Sequence, residues 1–131
     1  MDSIFKKLVI FDLASIGVII LISLSGISSA LLPTELLDWQ DYLIEEHGFV
    51  YLLSLLLFII YVVASLMLLR FSPIGRSMYL WVTIISFALT FFMGPTIGDP
   101  LTNITYGLSA MASGAIFVLM YVTPLSVKFK K

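Results

Sequence analysis

Long apolar runs separated by short polar breaks set the pattern of this chain. The runs occupy residues 8–32, 49–69, 74–97 and 101–122, the third being most strongly apolar from Met78 onward. An α-helix rises about 1.5 Å per residue, so about 20 residues cross a hydrocarbon core of about 30 Å. Each run is long enough, and none shows the period-two alternation of a membrane β-strand. Backbone polar groups in lipid must be satisfied within their own segment, so each run is predicted to be a helix.

The breaks carry helix-boundary chemistry. Ser72–Pro73 and Asp99–Pro100 each place a side-chain acceptor before a proline at the first helical position. Gly94, Pro95 and Gly98 loosen the end of the third run, so the third and fourth runs form a tight antiparallel hairpin. Residues 34–46, TELLDWQDYLIEE, follow another pattern. Leu36, Trp39 and Leu43 share one helical side, and Asp38, Asp41 and Glu45 share another. This predicts a short amphipathic helix lying flat on a membrane surface, with Trp39 and Tyr42 at headgroup depth. The predicted fold is all-α, a single domain over residues 1–131. Four transmembrane helices form an up-down-up-down bundle, with the amphipathic extracytoplasmic helix between the first and second crossings.

Charge orients this arrangement. With four crossings, Lys6, Lys7, Arg70, Arg76, Lys128, Lys130 and Lys131, all seven basic residues of the chain, fall on one side. Glu35, Asp38, Asp41, Glu45, Glu46 and Asp99 fall on the other. Lysine and arginine are held back on the cytoplasmic side during insertion, so both termini are expected there, in a multi-pass protein of the plasma (cell inner) membrane. The loop RFSPIGR, residues 70–76, is basic because it is the internal cytoplasmic loop. Such lopsided charge disfavours dual topology and antiparallel dimers. The first run has lysines ahead of it and Ser28, Ser29 and Ala30 near its end, as a signal peptide does. It is longer than a typical signal core and is interrupted by Asp12, so it is expected to be retained.

Composition agrees with a membrane protein. Hydrophobic residues make up 60% of the chain and charged residues 11%, against about a quarter charged in soluble domains. A net charge of −1 offers no basic surface for nucleic acid. The chain has no cysteine and one histidine, His47. No metal-ligand spacing, nucleotide loop or nucleophile–base set is present, so neither cofactor, metal nor enzymatic activity is expected. Asn103–Ile104–Thr105 matches a glycosylation sequon but lies close to the predicted bilayer. The basic stretch 128–131 is expected to attract anionic headgroups.

Candidate functional residues are few. Asp12 is the one acid inside a run, and intramembrane carboxylates are functional candidates by default. Counted from Leu8 it lies only about 6 Å from the cytoplasmic edge, within reach of Arg76, so an Asp12–Arg76 ion pair between the first and third crossings is expected. Tyr79, Thr83, Ser86 and Thr90 recur at helical spacing as a polar seam or pore lining. Ser54, Tyr61 and Ser65 do the same in the second run, and Ser109 and Ser113 in the fourth. Small residues Gly26 and Ala30 in the first run, and Ala110 and Gly114 in the fourth, predict close contact between those helices in the outer leaflet. Asp38, Asp41 and Glu45 form an outer acidic face for a partner. The functional expectation is a non-enzymatic accessory, assembly or protective protein, with the lipid bilayer and another membrane protein, or parallel copies of itself, as partners. The alternative is a parallel homo-oligomeric channel or transporter subunit for an ion, proton or small solute.

Overall fold

The structure is a computed structural model that describes residues 1–46, 48–92 and 98–130, apart from the side chains of Ser28, Ser29, Gln40, Leu43, Ile44, Glu46 and Lys130. Its elements in chain order are α1 (Asp2–Ser25), α2 (Ile27–Leu31), α3 (Thr34–Glu46), α4 (Gly48–Leu69), α5 (Pro73–Thr90), α6 (Pro100–Tyr121) and a 3-10 helix (Pro124–Lys130). The chain is all-helical, with no strand among the described residues. Three helices, α1, α4 and α6, are long and apolar enough to cross a membrane. His47 and the Gly94–Pro95 break lie outside the described residues.

Two boundaries differ from the sequence reading. The first apolar run is not one helix. Gly26 takes a left-handed conformation (φ 72°), which closes α1 and starts the single extra turn of α2. The third run is helical from Pro73 to Thr90, and α5 is not among the helices apolar enough to cross a membrane by length and composition. At about 1.5 Å per residue its 18 residues span about 27 Å, and Arg76 and Tyr79 dilute them. The two proline starts cap as their chemistry dictates. Asp99 Oδ1 accepts from the backbone N–H groups of Leu101 and Thr102, each at 3.0 Å. Ser72 Oγ accepts from the N–H of Gly75 at 3.4 Å.

α1 packs along α6 and α4 along α5, with a smaller contact joining α1 to α4. The α4–α5 turn is tight. The N–H of Ser72 reaches the carbonyl of Met67, and the N–H of Phe71 that of Leu68, the double bond of a Schellman ending. The left-handed position in such a turn favours glycine, yet Phe71 occupies it with φ 53°. The penalty is about 1–2 kcal/mol, which ring packing offsets. Phe5, Phe71 and Phe129 form a three-ring cluster with centroids 5.4–5.7 Å apart. Lys6 and Lys128 lie over the Phe71 ring at 5.4 and 5.5 Å. Leu68, Met120, Leu125 and Phe129 are buried beside it.

This end of the molecule thus gathers the starts of α1 and α5, the ends of α4 and α6 and the 3-10 helix into a dry core. The stretch 128–131, read as a lipid-attracting tail, contributes Phe129 to that core and pairs Lys128 with Asp2. A close backbone approach braces the turn: a Cβ on Gly75 would lie 2.6 Å from Met67 Cβ. Gly75→Ala should therefore lower stability by about 1–3 kcal/mol through overpacking. Phe129→Ala should cost about 3 kcal/mol, the low end for a lost ring, because lipid also solvates the unpacked state. Melting of the purified variants in detergent measures both.

Candidate polar node and interhelical cavity

All four long helices meet at one carboxylate. Asp12 lies near the middle of α1 and is completely buried. Its Oδ1 accepts from Ser109 Oγ of α6 at 2.6 Å. Its Oδ2 accepts from Tyr61 OH of α4 at 2.5 Å, and at 3.4 Å from Tyr79 OH of α5. Tyr61 OH also lies 2.9 Å from Tyr79 OH and 3.0 Å from Ser113 Oγ, to which Tyr79 donates at 3.0 Å. Five side chains therefore share one hydrogen-bonded network. Each helix supplies its member because the hydroxyl residues sit on the inward side of an otherwise apolar surface. No buried side-chain polar atom is left without a partner among the described residues.

The expected Asp12–Arg76 pair is not formed. Counting from Leu8 placed Asp12 level with Arg76. α1 begins at Asp2, about 15 Å of helix before Asp12, so the carboxylate lies level with mid-α4 and mid-α6 rather than with the α4–α5 turn. Arg76, one turn into α5, stays at the basic end. Its guanidinium stacks 4.0 Å from the Tyr121 ring centroid and donates to the Ser126 carbonyl at 3.4 Å. A planar, weakly hydrated cation suits that aromatic setting.

On the other side of the node the helices line an open-sided cavity of about 820 Å³. Tyr61, Ser109 and Ser113 form its floor. The walls run past Thr83 and Ser86 to Thr90, Tyr51 and Tyr106. From Tyr61 to Tyr51 is about 15 Å of helix. The α5 stripe is thereby divided: Tyr79 joins the node, while Thr83, Ser86 and Thr90 line the cavity.

The small residues are placed differently from the predicted seam. Gly26 caps α1, Ala30 is exposed on α2, Ala110 lines the cavity and Gly114 faces open space. α1 and α6 do pack together, but Ala112, Ile116 and Met120 are the residues α6 buries there and toward the basic end. Asp38, Asp41 and Glu45 are exposed on α3. No cluster of metal-binding side chains is present among the described residues.

Tyr61, Ser109 and Ser113 were visible in the sequence as stripes but were not connected to Asp12. The signal that joins them is depth: a mid-helix acid surrounded by apolar residues needs donors at the same level of other helices. The chain matches no family model, no curated protein and no solved structure. Tyr61→Phe removes the shortest donor to Asp12 while keeping the ring. It should lower stability by about 1–2 kcal/mol, and more than Tyr79→Phe, whose bond to the carboxylate is longer. Unfolding in mixed detergent micelles checks the order.

Proposed function

We propose that this chain is a multi-pass inner-membrane protein that binds a small solute in the cavity above Asp12. In this reading α1, α4, α5 and α6 all cross the bilayer, α3 lies on the extracytoplasmic surface, and both termini are cytoplasmic. Support for the orientation comes from charge. Lys6, Lys7, Arg70, Arg76 and Lys128 cluster at the end with the α4–α5 turn, while Asp38, Asp41 and Glu45 lie on α3, which connects the opposite ends of α1 and α4. Support for a fourth crossing by α5 comes from its pairing with α4 and from Tyr79, which brings it to the same node.

The observation that carries the solute-binding reading is the cavity with its polar floor. A protein whose residues served only topology and partner contact would close its interior. This one leaves about 820 Å³ between its helices, largely apolar in its walls, with the Tyr61 and Ser109 hydroxyls at the floor donating to a buried acid. The volume falls in the usual range for small-molecule sites. The ring cluster at the basic end weighs against an open channel, and a blind site reached from the acidic end fits better. The reading is one of binding, and it assigns the node no catalytic step. Its failure would leave the accessory role, with the acidic face of α3 as the partner surface.

Two measurements test this. The chain has no native cysteine, so single cysteines report sidedness directly. In sealed cells an impermeant maleimide should label Asp41→Cys and spare Ser3→Cys; the reverse pattern overturns the orientation. Mass spectrometry of organic extracts should find a small molecule carried by purified wild-type protein and lost from Ser86→Trp, whose ring fills the cavity. Equal recovery from both proteins, or from neither, removes the solute-binding reading.

A further inference from the structure

Five of the hydroxyls that line the cavity have their hydrogen atoms committed to the protein. Ser109 Oγ and Tyr61 OH donate to Asp12 at 2.6 and 2.5 Å. Thr83 Oγ1 donates to the Tyr79 carbonyl at 2.7 Å, Ser54 Oγ to that of Tyr51 at 2.8 Å, and Thr90 Oγ1 to that of Phe87 at 2.5 Å. A hydroxyl has one hydrogen and two lone pairs, so each of these five groups offers the cavity an acceptor only. Behind the floor stands the Asp12 carboxylate. None of the described residues lining the cavity is basic, and Arg76 is held against Tyr121 at the far end of the core. Rings of Tyr51, Phe58, Phe87 and Tyr106 complete the walls, and their faces are negative as well.

Each possible occupant meets this lining differently. An anion would face the Asp12 carboxylate behind the floor with no basic residue in the described lining to answer it. An uncharged apolar body would fill the volume and leave those acceptors unanswered. A cation bearing N–H groups satisfies both parts of the site. We infer that the cavity takes an organic ammonium ion, its charged head against Ser109 and Tyr61 at the floor and its apolar body among the rings above. This rests on the solute-binding reading and names the chemical class that the reading leaves open.

The test uses three probes with one apolar body, 4-phenylbutylamine, 4-phenylbutanol and 4-phenylbutyrate, titrated by calorimetry. The protein is held in nanodiscs of zwitterionic lipid, with empty nanodiscs as the blank, so that surface attraction of the amine is removed. The amine should bind at least about tenfold more tightly than the alcohol, with the carboxylate weakest. Asp12→Asn should weaken the amine about tenfold and leave the alcohol within about twofold. Thr83→Val keeps side-chain shape and touches no interhelical bond, so it folds even where Asp12→Asn does not. It should weaken the amine about two- to threefold and spare the alcohol. Alcohol or carboxylate binding as tightly as the amine would overturn the assignment while leaving a solute site in place. So would an amine affinity unchanged in both variants. Binding by none of the probes also overturns it, and the co-purification experiment then judges the parent reading independently.

Discussion

Inside an apolar surrounding, a polar group must find its partner within the protein, and Asp12 turns that requirement into architecture. One carboxylate offers two oxygens that accept from several donors at once. Here those donors come from α4, α5 and α6, while the acid itself comes from α1. Helices with largely apolar exteriors have little else to set their register against one another. Lipid tails are as apolar as leucine, so burial alone gives such helices no reason to pair in one register. Directional bonds do, because sliding any helix by one residue moves its hydroxyl out of reach.

The node also divides the interior into two unlike halves. Toward the basic end the space is filled by rings and aliphatic side chains. The fully buried Phe5, Val9, Ala64, Leu68, Ile116 and Met120 leave no room for solvent. Toward the other end the same helices diverge around the cavity. A compact core on one side holds the helices firmly enough for the other side to stay hollow.

Much of this fold was legible in the sequence, for plain reasons. Apolar runs of 20 or so residues and S-P or D-P starts are local signals, and they placed α4, α6 and the start of α5. The α3 segment was found from its amphipathic spacing, and its bounds agree. Contact between the first and last long helices was anticipated and is present, but the register between helices was missed. Asp12 was paired with Arg76 because both were counted from apolar edges, whereas α1 extends back to Asp2 through the charged residues Lys6 and Lys7. Gly26, Ala30, Ala110 and Gly114 have seam-like spacing, but spacing says only which residues share a side, not which side faces inward. The ring cluster was invisible for another reason. Phe5, Phe71 and Phe129 come from three polar-flanked segments that read as tails and a loop, and nothing local marks them as a core. The functional stripe on α5 was legible as a stripe. Its division between node and cavity is a tertiary fact.

The contact between Phe5 and Phe129 joins the first helix to a segment downstream of every long helix. Insertion of the individual helices and completion of the core are consequently separate events. The first can proceed helix by helix as the chain emerges. The second waits until α6 is seated and the 3-10 turn can fold back beneath it. Until then α1 stands in the membrane with its carboxylate lacking Ser109 and its aromatic foot uncovered.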